Sequence, residues 1–465
     1  MKLIVILFGQ LLTIMDIFII NVSIPTIQHD LRAPNGEMQL MIASYLIGFA
    51  SFLITGGRLG DLFGRKKIFI TGLIFFMLSS VACGISSGAM LLAAARFVQG
   101  ISAALMSPQV LSMIQILFPG HEERAKAMGW YGITIGIGTV SGQYLGGLLS
   151  SSTIIDEAWR LIFLVNVPVG LLAVFFSVKI LTESASGVKD RLDLFGVTIL
   201  TAGLFCFTYS LTLSEHHGFQ MKSLMLLLAS VAILIFFVKN QKERMRKNRP
   251  YLMDLRLFRI RNFNLGIVSV SFFFIMLDSY FYILSLFLQN GLKIGPLEAG
   301  EVIVFQGLGF ILASLCSAKL ILRFGRRFLV AGLSLITVIL LLQIVLFDSE
   351  TPFFILCLLL FFHGAGVGSI IPSLAGITLS GMPETLAGNA SGVYNTFQQA
   401  AAIVGIVVIG SLFYDVLGPE ASVKDYHDAF STALGVNILC IAIVTGCLFL
   451  VPDKVFHLKK TTKVI

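Results

Sequence analysis

Apolar runs of helical length follow one another along almost the whole chain, and they limit its possible folds more than any other feature. A helix of about 20 residues crosses the hydrocarbon core of a bilayer. We count fourteen such runs, at 3–24, 38–58, 68–86, 89–111, 127–150, 160–181, 194–213, 222–239, 263–288, 298–321, 328–347, 353–376, 388–414 and 429–451. A backbone exposed to lipid must satisfy its own hydrogen bonds, so each run predicts a helix. We therefore expect an all-α integral membrane protein with fourteen transmembrane helices.

The composition argues against a soluble protein and against an enzyme. Only 12% of the 465 residues are charged, whereas the surface of a soluble protein carries about 25–35% charged residues. The six cysteines all lie in apolar runs without metal-ligand spacing, so neither a disulfide nor a metal site is expected. The sequence also contains no nucleophile–base set and no phosphate-binding loop. We therefore predict a protein that is not an enzyme and needs no cofactor.

The basic residues are unevenly distributed and predict the orientation in the bilayer. Of the 33 Lys and Arg residues, 27 fall in the termini and alternate connections that would share one side. Since basic loops remain in the cytoplasm, both termini are predicted to be cytoplasmic. The net charge of +8 is then explained by topology, and nucleic acid is not an expected partner. The first run holds Asp16 and Asn21 and lacks a small-residue cleavage site, so it is predicted to be a retained span and not a signal peptide.

Two polar connections divide the chain into three parts. We predict an N-terminal six-helix bundle at 1–181, a linker with two helices and a basic cytoplasmic loop at 182–262, and a C-terminal six-helix bundle with a short tail at 263–465. The two linker helices are expected to face lipid as an inserted pair. The basic loop at 240–262 mixes cations with apolar residues, which predicts a position at the cytoplasmic surface against anionic lipid.

A short basic turn occurs twice and indicates an internal repeat. GRLGDLFGRKK (57–67) is followed much later by the weaker copy AKLILRFGRR (318–327). Asp16 lies 48 residues before the glycine of the first turn, Gly64, and Asp278 lies 47 residues before that of the second. Internal repeats of helical bundles are typical of secondary transporters, which bind substrate near the middle of the membrane.

Ionisable residues within spans usually face a cavity or a partner and mark function. Four candidates for proton coupling or cation binding are Asp16, Arg96, Asp278 and Glu301. One polar face of the first span carries Gln10, Thr13, Asp16, Asn21 and Ser23, and a stripe in the ninth span carries Ser271, Asp278, Tyr282, Ser285 and Gln289. Either face could line a water-filled path or form a polar seam between packed helices.

The other candidates have open alternatives. Arg96 could tune Asp16 or hold interhelical carbonyls, and Glu301 could attract cations or simply be solvated. His363 could relay protons or pack against its neighbours. Gly138 and Gly142 form a small-residue face for close helix contact. Further residues that could line a cavity are Gln143, Asn395 and Gln398.

Five stretches together resemble the major facilitator superfamily, in particular its fourteen-helix drug:proton antiporter family. They are GRLGDLFGRKK (57–67), LAAARFVQGISAA (92–104), MDIFIINVSIP (15–25), WRLIFLVNVPVG (159–170) and PYLMDLRLFRIRNF (250–263). The resemblance covers essentially the whole chain and is specific for the fold but not for the substrate. It implies a monomeric exporter of the bacterial inner membrane that works by alternating access and is driven by inward proton flow.

The resemblance also assigns roles to residues. Asp16 and Arg96 take the family's charged positions. A gating loop formed by Gly57, Asp61, Gly64 and Arg65 would act as a cytoplasmic latch, with Asp61 near a helix N-terminus or an arginine. In the second turn Leu322 replaces the acidic residue, which predicts a one-sided latch. Gln143 replaces the proline of the family's fifth-helix motif, so the kink attributed to that proline is absent.

These observations lead to three hypotheses. The first is efflux of amphipathic, cationic drugs in exchange for protons. The second is a dedicated metabolite transporter, working by export or symport, on the same scaffold. The third is a sensor or scaffold that transports nothing, against which the intramembrane charges argue.

Overall fold

A computed structural model describes residues 1–33, 35–150, 152, 156–183, 192–214, 220–294, 296–348, 351–417 and 422–452. Fifteen helices are present in these ranges: α1 Lys2–Leu31, α2 Asn35–Phe63, α3 Arg65–Gly84, α4 Ala89–Leu117, α5 His121–Ser150, α6 Leu161–Leu164, α7 Asn166–Ile180, α8 Leu194–Ser214, α9 Met221–Arg246, α10 Arg261–Leu286, α11 Pro296–Phe324, α12 Arg326–Leu346, α13 Phe353–Thr378, α14 Ala387–Leu417 and α15 Val423–Leu450. The α6 and α7 helices together occupy the sixth predicted span. No strand occurs among the described residues, so the predicted all-α class is confirmed.

Thirteen segments of the described chain are long and apolar enough to cross a membrane. The remaining predicted span, 127–150, lies in α5, which is helical but less apolar because it contains seven glycines and several polar residues. The prediction of about fourteen spanning helices therefore agrees with the structure.

The helices group into two compact units. Unit 1 comprises Met1–Ile116, Thr134–Arg256 and Met382–Val407. Its apolar core is built around Trp159, whose side chain is fully buried. In unit 1, α8 packs on α9 and α2, and Leu211 of α8 also contacts Ile403 and Val407 in the middle of α14. Unit 2 comprises Leu117–Ile133, Leu257–Gly381 and Val408–Ile465, and within it α13 packs on α11 and α12 while α10 packs on α15.

Glycines occur at a similar helix crossing in each unit, as an internal repeat would predict. In unit 1 a Cβ added to Gly100 of α4 would lie 2.1 Å from the carbonyl oxygen of Tyr45 in α2. In unit 2 a Cβ added to Gly364 of α13 would lie 1.9 Å from the carbonyl oxygen of Gln306 in α11. Each contacted residue precedes the glycine of the basic turn in its own half by 19 positions. The same crossing is thus built twice from equivalent residues.

The basic connection after α9 differs from its prediction. The α9 helix continues to Arg246, because Lys, Glu, Met and Arg are good helix formers although they end the apolar run. Leu252 and Met253 are buried, and so is Asp254. The expectation that the whole loop lies on the surface is therefore wrong for these residues, which pack inside unit 1.

Candidate functional site

The carboxylate of Asp16 lies fully buried in unit 1 and is held by three neighbours. Arg96 Nη1 donates a hydrogen bond of 2.5 Å to Asp16 Oδ2. Gln99 Nε2 and Asn166 Nδ2 each donate to Asp16 Oδ1 at 2.9 Å. Ser80 Oγ accepts from the same two amide nitrogens at 3.1 and 3.0 Å. Four helices, α1, α3, α4 and α7, thus meet at one carboxylate.

Arg96 is positioned by aromatic as well as polar contacts. Its guanidinium carbon lies 4.2 Å from the centre of the Tyr45 ring, within the range of a cation–π interaction. Arg96 Nη1 also donates to Gln99 Oε1 at 2.8 Å. Among the described residues, these hydrogen bonds of Arg96 go to side chains, as the tuning interpretation expects.

This arrangement can exchange partners at Asp16. A buried charge needs a partner and hydrogen bonds, and here a guanidinium and two amides supply them. Tyr45 Oη and Asn166 Oδ1 are buried, and no hydrogen-bond partner for either was found in the described residues. A proton or a cationic ligand that reached Asp16 would compete with Arg96 for the carboxylate. The network can therefore couple the arrival of a cation to a movement of Arg96.

Asp16 and Arg96 were predicted from the sequence as site residues, whereas Ser80, Gln99 and Asn166 were not. Gln99 lies in LAAARFVQGISAA (92–104), one of the stretches that carry the family resemblance, three residues after Arg96. A signal was available for Asn166, because it is a strongly polar residue in the otherwise apolar stretch WRLIFLVNVPVG. Such a residue within a span is expected to find a partner across helices.

Asp278 has different surroundings in unit 2. It is partly exposed, while its Oδ2 atom is buried and has no hydrogen-bond partner within the described ranges. The other residues of the predicted stripe, Ser271, Tyr282, Ser285 and Gln289, are also partly or fully exposed. Gln289 Nε2 donates to Ser285 Oγ at 3.0 Å, as expected for residues on one helix face. Asp278 is therefore available to an incoming proton or cation without first releasing an arginine.

His363 lies in a packed cluster of unit 2. Its side chain is fully buried, its Nδ1 lies 2.9 Å from Gln306 Nε2, and its ring stacks on Tyr280 at 4.0 Å. Gln343 Nε2 donates to Tyr280 Oη at 2.9 Å. With the amide nitrogen of Gln306 as the donor, Nδ1 accepts, which corresponds to the neutral tautomer that carries its proton on Nε2. These contacts fit the packing interpretation of His363.

The remaining candidates are dispersed. Glu301 is exposed, and Gln143 and Gln398 are partly exposed. Asn395 is buried, and its Nδ2 donates to Ser107 Oγ at 3.3 Å within unit 1. Asn21 belongs to α1, but its side chain lies outside the described part of the structure.

The predicted close helix contact in α5 is present. A Cβ added to Gly138 would lie 2.9 Å from the side chain of Ile14, and one added to Gly142 would lie 2.8 Å from the carbonyl oxygen of Met15. Both glycines therefore bring α5 against the turn of α1 that carries Asp16.

Asp61 joins the basic turn to the start of α14. Its Oδ1 accepts from Gly388 N at 3.1 Å and its Oδ2 from Asn389 N at 2.8 Å. Arg65 Nη2 donates to the same carboxylate at 2.6 Å. A carboxylate is favoured at a helix N-terminus, where backbone amides lack partners within the helix. The side chain therefore meets both surroundings anticipated for it, a helix N-terminus and an arginine.

Glycines let the backbones approach at this contact. A Cβ on Gly57 would lie 2.2 Å from the carbonyl oxygen of Gly388, so α2 and α14 touch through their main chains. Gly64 has φ of 98°, a conformation that favours glycine, and it allows the turn from α2 into α3. Glu183, which sequence analysis did not select, accepts from the backbone amides of Lys66 and Lys67 at 3.2 Å and caps α3.

The segment after α9 approaches the same contact. Asn389 Nδ2 donates to the carbonyl oxygen of Leu252 at 2.7 Å, and Asp254 N donates to Asn389 Oδ1 at 3.2 Å. Burial would raise the pKa of Asp254, but hydrogen bonds from Arg256 outweigh it and hold this pKa below its usual range. The same bonds raise the pKa of Arg256, so the two side chains form a charged pair at neutral pH.

Comparisons with known proteins agree with the fold described above. A sequence model of the Major Facilitator Superfamily matches residues 6–255 and 267–463. The xylose symporter XylE, a proton-coupled member of that superfamily, has a solved structure that aligns with a TM-score of 0.67 at 16% identity and covers 94% of each chain. At that identity the likeness concerns the fold alone.

Three proteins that are similar in sequence are named for different transported or exported compounds or for drug resistance. A probable actinorhodin transporter of Streptomyces coelicolor is 32% identical over 90% of this chain and 73% of its own. Multidrug resistance protein Stp of Mycobacterium tuberculosis is 29% identical over 87% of this chain and 74% of its own. Riboflavin transporter RibZ of Clostridioides difficile is 26% identical over 100% of this chain and 98% of its own.

Proposed function

Because this chain belongs to the Major Facilitator Superfamily, we propose that it exports amphipathic, cationic compounds in exchange for protons. Membership makes it a multi-pass membrane transporter of small molecules and not an enzyme. The observation that carries the proposal is the buried Asp16 carboxylate, which Arg96 and two amides hold inside a span. Relatives named for actinorhodin transport and multidrug resistance support a drug-like cargo.

The cycle we propose uses the two carboxylates and the latch. A proton entering from outside displaces Arg96 from Asp16, and its release to the cytoplasm restores the ion pair. Asp278 attracts the cationic part of the cargo. Asp61 closes the cytoplasmic side by binding the N-terminus of α14, and loss of that contact opens it. Glu301, an exposed residue that we place near the outer end of the transport path, contributes only an electrostatic potential that attracts cations.

The rest of the proposed organisation follows the sequence. We assign a six-helix bundle to 1–181, an inserted pair with a basic cytoplasmic loop to 182–262, and a second bundle to 263–465. Both termini face the cytoplasm, the membrane is the bacterial inner membrane, and the working unit is a monomer. Gln143 in place of the family's proline permits some uncoupled proton flow.

The proposal is tested with Asp16→Asn in proteoliposomes with an imposed pH gradient. Asparagine keeps the shape of the side chain but cannot take up and release a proton, so gradient-driven export should be abolished. Substrate binding measured without a gradient should remain, which shows that the variant is folded. Full gradient-driven export by Asp16→Asn would refute proton coupling at this residue.

The second candidate function is transport of a dedicated metabolite by export or symport. The similarity to riboflavin transporter RibZ over the whole chain favours it. The direction of flux separates the two functions, because an antiporter moves cargo against the proton flow and a symporter moves it with the flow. A screen of cationic and neutral compounds under both gradient directions makes this comparison.

A further inference from the structure

A buried amide at the cytoplasmic end of α9 connects the inserted helix pair to the latch. Gln241 is fully buried, although most of α9 is exposed. Its Nε2 donates to Asp193 Oδ2 at 2.8 Å. Its Oε1 accepts from the backbone amides of Leu252 at 2.8 Å and Met253 at 3.2 Å. Both ends of the Gln241 amide are therefore engaged with defined partners.

On one side this amide fixes the inserted pair itself. Asp193 Oδ1 accepts from Gly196 N at 2.8 Å and caps the start of α8. Arg244 of α9 lies 3.1 Å from the same carboxylate. A Cβ on Gly196 would lie 2.2 Å from Asp193 Oδ2 and 2.7 Å from Gln241 Nε2, so glycine is needed for this close packing. These polar contacts thus connect the start of α8 to the end of α9.

On the other side the amide reaches Asp61 of the latch through two further residues, Leu252 and Asn389. Leu252, held by Gln241, accepts from the side chain of Asn389 at 2.7 Å. Asn389 then uses its backbone amide to donate to Asp61 at 2.8 Å. A continuous hydrogen-bonded path therefore runs from Gln241 to the carboxylate of the latch, entirely within unit 1.

We propose that Gln241 is a positioning residue for the cytoplasmic latch, through which the inserted helix pair holds the N-terminus of α14 against Asp61. Gln241 orders the segment that contains Leu252, and this segment orients Asn389 toward Asp61. The inserted pair then has a mechanical role in transport beyond contact with lipid. This inference rests on the proposed latch.

The test follows opening of the latch by thiol labelling and needs no substrate. Ser107 is buried in α4 beneath its contact with Asn395 of α14, ten residues from the cytoplasmic end of its helix. A Ser107→Cys variant, with the six native cysteines replaced by alanine, is exposed to an impermeant maleimide in inside-out vesicles. Opening of the latch separates α4 from α14 and raises the labelling rate.

We expect Gln241→Leu and Asp61→Asn each to raise the labelling rate by about tenfold, the size typical of a broken buried polar contact. If Gln241 acts through Asp61, the double variant should label no faster than Asp61→Asn alone. Asn389→Ala removes the side-chain link but keeps the backbone amide, and it should reproduce Gln241→Leu. The control Ser230→Ala removes a buried hydroxyl from the same helix and should leave labelling unchanged.

The possible outcomes distinguish failure of this inference from failure of the proposed latch or of the proposed export function. If the double variant labels faster than Asp61→Asn by the same factor that Gln241→Leu shows alone, the two residues act independently. Gln241 would then be a merely structural residue, and the inference would be overturned. So would unchanged labelling in both Gln241→Leu and Asn389→Ala while Asp61→Asn responds. If Asp61→Asn itself leaves labelling unchanged, the latch is wrong and the inference falls with it. Loss of export without these changes would concern the cargo or the proton and not the latch.

Discussion

The two intramembrane carboxylates differ in how their charge is compensated. Asp16 has a guanidinium and two amide donors, whereas the buried oxygen of Asp278 has no partner in the part of the chain that the structure describes. A carboxylate that is already paired can change partners, and one without a partner can receive a proton or a cation. At the residue scale the chain therefore provides two carboxylates that suit different tasks.

The Asp16–Arg96 pair gives the first prediction at this scale. Arg96→Gln leaves the Asp16 carboxylate buried without a cation, which is expected to destabilise the fold by about 3–5 kcal/mol. Adding Asp16→Asn removes the orphaned charge and should restore most of the lost stability. The measurement is thermal melting of the purified proteins in detergent. A double variant as unstable as Arg96→Gln alone would show that the charge balance is not the cause.

The register of the repeat explains why the two carboxylates differ. The position that matches Asp16 by its distance of 48 residues from the turn glycine is Leu277, which is buried. Asp278 is one position later, and one residue turns the direction of a helical side chain by about 100°. Counting along the sequence located both carboxylates, but it could not show that they point in different directions relative to their bundles.

At the element scale the predictable features were those with a local cause. Apolar runs of spanning length predicted the positions of the helices. The basic turns marked Gly64 and Gly325, and both glycines have positive φ in the structure. The partners of Asp16 were harder to predict, because Asn166 is 150 residues away along the chain. The helical end of α9 was missed because its charged residues end the hydropathy signal and not the helix.

The repeated glycine crossings give a prediction at this scale. A methyl group on Gly100 or Gly364 would meet a main-chain carbonyl that cannot rotate away, so the two helices must separate. We expect Gly100→Ala and Gly364→Ala each to cost about 1–3 kcal/mol of stability. The control is Gly446→Ala, where nothing lies within 4 Å of the added Cβ and alanine should be neutral or slightly stabilising. Equal melting temperatures for all three variants would contradict this view of the crossings.

At the scale of the whole molecule, the repeat does not duplicate the acidic residue of the proposed latch. Both turns keep their glycine and basic residues, but Leu322 occupies the place that corresponds to Asp61. Asp61 binds the start of α14, and Asn389 connects that start to the segment after α9. In the proposed cycle the inserted pair and the acidic turn therefore act together to close the cytoplasmic side, and the second half of the chain has no equivalent acidic turn.

The prediction at the molecular scale follows from the two roles that we propose, proton coupling for Asp16 and cation binding for Asp278. Asp278→Asn removes a negative charge that is free of protein partners in the described ranges, so it should weaken transport of cations first. We expect kcat/KM for cationic substrates to fall by about tenfold or more, which corresponds to about 1.4 kcal/mol. Neutral substrates should retain gradient-driven export, because in the proposed cycle the proton is carried by Asp16, which this variant leaves intact. The control Asp428→Asn neutralises an exposed carboxylate of α15 in the same unit and should change neither class. Unchanged transport of every cation tested with Asp278→Asn in proteoliposomes would exclude a role for Asp278 in cargo recognition.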